Sequence, residues 1–184
     1  EKVIFANGAT EIGASSFVNA SKLKEVVLPA SVKKIASKAF YASNASGSVL
    51  EKINLENVEE IGAQAFYWCD NLKEVDLSNV KKLGNMAFTY CKTLKTVTVP
   101  ETATTIEASA FSNCTGLQEA TIKAPVVGVS MFATCTALKK VTIYSEKVGI
   151  LAFSGAADLQ TVVFAPTEVE GEGGAKTYVH KLKT

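Results

Sequence analysis

The sequence predicts an α/β fold, a right-handed solenoid of about seven full coils of 21–26 residues with one parallel β-sheet. Three registers predict it. Phenylalanines recur at Phe17, Phe40, Phe66, Phe88, Phe111, Phe132 and Phe153, in steps of 23, 26, 22, 23, 21 and 21 residues. Five residues before each stands an aliphatic residue: Ile12, Ile35, Ile61, Leu83, Ile106, Val127 and Val148. Six residues after each stands a leucine: Leu23, Leu72, Leu94, Leu117, Leu138 and Leu159. Only Leu50 departs, ten residues after Phe40, and the polar stretch Ser43 to Ser48 reads there as a loop insertion. A period of this length marks stacked supersecondary units.

Each coil then reads in order. After the leucine comes a short alternating run whose inward pairs are Val26/Leu28, Ile53/Leu55, Val75/Leu77, Val97/Val99, Ala120/Ile122, Val141/Ile143 and Val162/Phe164. Period-two alternation of β-branched residues predicts a half-buried strand. Pro29 and Pro100 follow two of these strands and turn the chain. The segment carrying the aliphatic residue and the phenylalanine returns along the far side, with a helix-like stretch of one or two turns. A small residue precedes most of the phenylalanines, Ser16, Ala39, Ala65, Ala87, Ala110 and Ala152, with Met131 the exception. No coil can bury its own leucine and phenylalanine, so stacking must do it.

Residues 1–165 form the solenoid, which opens mid-repeat on the strand positions Val3 and Phe5. Residues 166–184 lose the pattern: Val169 stands where the next aliphatic residue is due and Gly174 where phenylalanine is due. They read as a loop and a strand near Tyr178 to Leu182, capping the open sheet edge of the same domain. The first residue is Glu1, so a processed form or a section of something longer is expected.

Net charge is +1, and all 19 basic residues are lysine. Without arginine's planar fork, a nucleic-acid reader is disfavoured. No apolar run reaches the ~18 residues a transmembrane helix needs.

The units Leu-Pro-Ala-Ser-Val-Lys-Lys-Ile (28–35), Ile-Gly-Ala-Gln-Ala-Phe-Tyr-Trp-Cys (61–69) and Phe-Ser-Asn-Cys-Thr-Gly-Leu (111–117) resemble the BspA-like, or Treponema pallidum-type, leucine-rich repeat. The resemblance covers roughly residues 3 to 165. It implies a β/α horseshoe and a secreted or surface-anchored bacterial protein with any signal peptide removed. It also implies a kinship with members that resemble adhesins for host matrix proteins or other bacteria, and such repeats also occur in protozoan parasites. The family shares no catalytic site, so none is carried over.

The motifs that could carry chemistry are few. Cys69, Cys91, Cys114 and Cys135 each stand three residues after a phenylalanine, a column filled elsewhere by Ala20, Ser43 and Ala156. That register reads as a buried small-residue ladder of free thiols rather than as disulfides. Metal-ligand spacing is absent, as is any cofactor motif, so neither is expected. His180 is the only histidine, and a catalytic site needs a positioned base. Gly171 to Thr177 fails the phosphate-loop pattern. Asn19, Asn44 and Asn113 fit the glycosylation acceptor pattern, unremarkably in so polar a chain. The chain is read as no enzyme.

Two surfaces remain as candidate sites. The first is the outward, concave face of the strands, acidic around Glu74 and Asp76 and hydroxyl-rich further on at Thr98, Thr121, Lys140, Thr142 and Tyr144. Threonine also favours strands for its own sake, so this row has a structural reading. The second is a convex aromatic group, Tyr41, Tyr67, Trp68 and Tyr90, which could bind a partner or pack against the 43–48 insertion. The expected function is an extracellular or cell-surface binding module for a host or bacterial surface protein or glycan. The rival is a structural spacer within a larger surface protein. A monomer is expected.

Overall fold

The structure is a computed structural model that describes residues 1–44 and 46–165, and the backbone of Thr167–Glu170 and Lys176–Val179. The chain winds as a parallel β-solenoid of about seven turns. On one face, here the front, Lys2–Ile4, Glu25–Val27 and Lys52–Ile53 pair in parallel in that order. Further along the same face Thr96–Val99, Glu119–Ile122, Lys140–Ile143 and Thr161–Phe164 form a second parallel set. In the first three the alternation is as expected: Val97, Val99, Ala120, Ile122, Val141 and Ile143 are buried, while Thr96, Glu119 and Lys140 are exposed; in Thr161–Phe164 it is not, since Val162 and Phe164, expected to point inward, are exposed with the rest of the strand.

Three expectations need correction. Parallel pairing is not confined to one sheet. The aliphatic residue five before each phenylalanine lies on a two-residue strand of its own. Glu11–Ile12, Lys34–Ile35, Glu60–Ile61, Lys82–Leu83 and Thr105–Ile106 pair in parallel, as do Val126–Val127 and Lys147–Val148. Two residues are too few to show a period, so this second ladder is hidden in the sequence. Gly62 follows it where coils nearly touch. A Cβ there would lie 2.6 Å from the Ser37 nitrogen, which explains the small residue.

The second correction is that the described residues contain no helix, so the α part of the expected class is absent. The reason is a recurrent left-handed backbone. The residue two before each of the seven repeat phenylalanines, Phe17 to Phe153, has positive φ: Ser15, Lys38, Gln64, Met86, Ser109, Ser130 and Leu151. So does the residue two after, at Asn19, Trp68, Tyr90, Asn113, Thr134 and Gly155. A right-handed helix cannot pass through such residues. The segment is instead a succession of tight turns, with bonds such as Ala65 N–H to the Gly62 carbonyl and Tyr67 N–H to Gln64. Its other N–H groups leave the coil. Phe40 donates to Ala65, Phe66 to Ala87 and Phe88 to Ala110, each at 2.8 Å.

The third correction concerns Glu74–Leu77, where the alternation of Val75 and Leu77 predicts a strand. It pairs with neither neighbour, and among the described residues the N–H groups of Glu74, Val75, Asp76 and Leu77 make no hydrogen bond. Asn54 and Asp76 occupy the strand position that Thr98, Thr121 and Thr142 hold in the paired set. Both are poor strand formers whose short polar side chains bond to backbone. The Asn54 side chain accepts from Leu28 N–H and donates to the Leu28 carbonyl, at 2.7 and 3.0 Å. Asp76 accepts from Ser78 N–H at 2.9 Å. These bonds draw the chain out of the ladder.

The core is a column of rings. Consecutive phenylalanines from Phe17 to Phe153 stack nearly parallel, with centroids 4.9–5.8 Å apart. Phe66, Phe88, Phe111 and Phe132 are fully buried, while the end rings Phe17 and Phe153 are half-buried. Ala39, Ala65, Ala87, Ala110 and Met131 are buried beside them, so the large residue at 131 is accommodated. Beyond the last coil, Thr167–Glu170 and Lys176–Val179 pair antiparallel with each other. The strand expected near Tyr178 to Leu182 thus starts at Lys176. Residues 180–184, with His180, lie outside the described ones, as do residues 171–175.

Burial of each ring contributes roughly 1.5–3 kcal/mol, and removing one also leaves a cavity. Phe88→Ala is expected to lower stability by about 3–5 kcal/mol in denaturant melts. Phe17→Ala, in a coil with one neighbour, costs less. Equal losses below ~1 kcal/mol at both sites would refute the ring column as the core.

Candidate functional site

The front face brings together most of the residues the sequence picked out there. Pairing sets Thr98, Thr121 and Thr142 directly side by side, and Glu119 beside Lys140. The row ends near Tyr144, 37% exposed, whose N–H bonds to the Ile122 carbonyl. Some hydroxyls elsewhere in the chain are engaged: Thr89, Thr93 and Thr102 each donate to a carbonyl of another coil. Among the described residues the hydroxyls of Thr98, Thr121, Thr142 and Tyr144 make no such bond. They stand ready to donate and accept.

Glu74 and Asp76 lie on the unpaired segment, apart from that row. A shallow groove of about 320 Å³ separates them from Lys52, Asn54 and Glu56, and one of about 380 Å³ from Thr96, Thr98 and Pro100. Both grooves follow from the missing ladder bonds. The acidic residues thus lie on an unpaired segment and the hydroxyl row on paired strands, with Thr98 bordering the groove between them. The sequence signal for this was available in Asn54 and Asp76, which replace the threonine of the paired strands.

Nearby charges are mostly arranged between coils. Glu51 receives Lys73 at 2.6 Å and Lys24 at 3.4 Å. The Lys73 hydrogen bond and charge, then those of Lys24, hold the Glu51 carboxyl below its ordinary range. These pairs are solvent-exposed and contribute little to stability.

The aromatic group assembles as the register suggested, but its ring faces are largely occupied. Tyr41 stacks on Tyr67 at 5.2 Å and Trp68 on Tyr90 at 4.7 Å, while Tyr67 meets Trp68 and Tyr90 edge-on. Lys38 Nζ lies over Tyr41, and Lys92 Nζ over both Trp68 and Tyr90. Lys92 is in turn paired with the mostly buried Asp70 at 3.2 Å. All four rings are half-buried, and burial, then the neighbouring tyrosines, raises the Tyr67 pKa. In the insertion, Ser43 donates to Asn19 Oδ1, and Asn71 donates to the Ser48 carbonyl. The aromatic rings pack on one another and on their two lysines. Trp68 and Tyr90 share the left-handed position two after phenylalanine.

Among the described residues, no group of three or more His, Cys, Asp or Glu side chains is placed to hold a metal ion. Nor is any helix there long and apolar enough to cross a membrane.

A family model described as BspA type leucine rich repeat region matches residues 1–79 and 59–170, in six copies. Among solved structures, a leucine-rich repeat protein from Bacteroides ovatus is 26% identical, with a TM-score of 0.78 over 89% of this chain and 45% of its own. The Treponema pallidum leucine rich repeat protein is 23% identical, with a TM-score of 0.76 over 86% of this chain and 77% of its own. One from Eubacterium ventriosum is 24% identical, with a TM-score of 0.56 over 88% of this chain and 54% of its own. The chain thus spans less than half the length of the Bacteroides ovatus protein it resembles. No curated protein matches.

The four cysteines are free and buried, one coil apart in a single column. Each thiol donates to the carbonyl of the phenylalanine one coil back: Cys69 to Phe40, Cys91 to Phe66, Cys114 to Phe88 and Cys135 to Phe111, at 3.1–3.3 Å. Sulfur is thus a small apolar filler that also serves a buried acceptor, which alanine could not do. Burial pushes the Cys69 and Cys135 thiols up to about 12 and those of Cys91 and Cys114 well above their ordinary value. Native protein is therefore expected to resist iodoacetamide at pH 8, and unfolded protein to take four labels without prior reduction. A mass deficit matching a disulfide would reject the column of thiols. A thiol neutral in the fold and ionised when unfolded binds more protons in the fold. Its stabilising contribution is thus complete below pH 9.0 and lost as pH climbs toward about 12, where stability should fall.

Proposed function

Because the chain belongs to the BspA-type leucine-rich repeat family, we propose that it is a binding module outside the cell or on its surface, which takes a protein or glycan partner on its front face. The family consists of repeat scaffolds that generally mediate protein interactions, so binding rather than catalysis is the natural reading. The observation that carries the choice of face is the unengaged hydroxyl row of Thr98, Thr121 and Thr142, lying on paired strands and ending near Tyr144. A rigid sheet presenting free donors and acceptors loses little entropy on binding. Tyr144 adds a large amphipathic anchor, Lys140 a flanking cation. The aromatic group on the other side offers less, since its faces are covered by one another and by Lys38 and Lys92. Glu74 and Asp76 form a separate acidic margin that would steer a basic partner.

A screen against matrix proteins and a glycan array supplies the ligand. Tyr144→Ala is expected to weaken its binding by roughly 30-fold, about 2 kcal/mol. Glu74→Lys should change the association rate and its salt dependence more than the dissociation rate. Trp68→Ala should leave affinity unchanged. Loss of binding in Trp68→Ala alone would move the site to the aromatic group. No loss in any of the three folded variants would leave the chain a spacer.

A further inference from the structure

We infer that the front face takes a linear glycan free of acidic groups, laid across the strands along the solenoid axis with one sugar per coil, an occupant that presupposes the binding role proposed for that face. Four successive coils carry a polar residue at the same outward strand position, Asp76, Thr98, Thr121 and Thr142. A second polar row stands two residues back along each strand, from Glu74 to Lys140. Neighbours within a row are one strand spacing apart, about 4.7–4.9 Å, and the rows are two residues apart, ~6.6 Å. The shorter step is close to the length of one pyranose in an extended, equatorially linked chain. The longer step reaches from the hydroxyls on one edge of such a ring to those on the other. An extended peptide on the same axis repeats its side chains on one face every two residues, ~6.6 Å, and falls out of step with the coils. The groups in the row are free to act. Among the described residues the hydroxyls of Thr98, Thr121 and Thr142 make no hydrogen bond, and Glu74 pairs with no lysine. Asp76 gives one carboxylate oxygen to Ser78 N–H and keeps the other. Hydroxyls that donate and accept, beside carboxylates that accept, match what sugar hydroxyls require.

Two further features favour a glycan over a protein. Protein interfaces are held at their centre by apolar and aromatic anchors. Among the described residues from 19 to 125, no large hydrophobic side chain is exposed. Most of the front face therefore offers polar groups and no anchor. The grooves of about 320 and 380 Å³ beside the unpaired segment supply the other half of a sugar site. Half-buried Val75 lines both, an apolar patch for the C–H face of a ring. The same grooves set the charge of the ligand. Glu56, Glu74 and Asp76 border them against a single ammonium group, that of Lys52. Sulfated or uronate-bearing chains meet like charge there, and neutral or amino-bearing ones do not. Because the ring column fixes the spacing of the coils, the row is in register before any ligand arrives.

Calorimetric titration of the whole 184-residue chain with linear β-1,4-linked oligosaccharides of two to six sugars tests this. The probes are oligomers of glucose, of N-acetylglucosamine and of glucosamine, with heparin fragments of matching length as the acidic arm. At least one of the first three series should bind, and the series that does tells a neutral chain from an amino-bearing one. Its affinity should rise sugar by sugar to four, the number of coils in the row, and level off beyond. Thr121→Val keeps the branched shape that suits a strand and removes one hydroxyl. It should weaken the four-sugar ligand roughly five-fold while the melting temperature holds, and Thr98→Val should do the same. Silence from all three series, affinity indifferent to length, or tighter binding of heparin would overturn the inference. A protein ligand weakened by Tyr144→Ala while the sugars stay silent would overturn it too, yet leave the front face as the binding face. Sugar binding lost in Trp68→Ala and untouched in Thr121→Val would overturn both.

Discussion

No coil of this chain can complete itself, and the rest of the structure follows from that. A coil has one phenylalanine, one leucine and a few aliphatic side chains, with no second layer of its own to cover them. Only the coils before and after supply that layer, so the rings form one column with fully buried middle members and half-buried ends. The backbone obeys the same rule. Around the phenylalanines of the column it enters the left-handed region twice, or once at Phe40, which costs an ordinary residue about 1–2 kcal/mol each time. The return is that alternate N–H groups leave the coil and bond to the next one. A helix would have satisfied those groups within the coil and left the coils joined by side chains alone.

The surface inherits its character from how well each strand keeps its place in that stack. Where threonine holds the middle position, the strands pair and the hydroxyls stand in line. Where Asn54 and Asp76 hold it, their side chains take over backbone bonding and the front sheet divides. The fold tolerates the break because Leu55, Leu77 and Val99 beneath it stay buried and the rings behind it, Phe66 and Phe88, remain 4.9 Å apart. The unpaired segment is thus a local feature of the front face, carried by a continuous core.

Much of this was legible in the sequence. The phenylalanine, leucine and aliphatic registers gave the coil boundaries, the insertion after Phe40 and the column of free cysteines. The family resemblance stands, on six copies of the repeat. What stayed hidden was conformational. Alanine beside phenylalanine reads as helix, and nothing in Lys38, Gln64 or Leu151 announces a positive φ that packing alone enforces. Asn19, Asn113 and Gly155, residues at ease there, were the available hint. The second parallel ladder was too short to show a period. At the candidate site, the residues of the hydroxyl row were readable from alternation. The division of the front face and the mutual stacking of the aromatic rings needed three dimensions.

The central claim is that bonds between coils, rather than bonds within them, hold the backbone around the phenylalanines. Native-state hydrogen exchange followed residue by residue tests it most directly. The account predicts that the amides of Phe66, Phe88 and Phe111, donors to the following coil, exchange only as the whole solenoid opens, with one shared free energy. The amides of Glu74, Val75 and Asp76, on the same coils but without acceptors, should exchange near the rate of an unstructured chain. Fast exchange at the three phenylalanines, or protection of the Glu74–Asp76 amides equal to theirs, would contradict it.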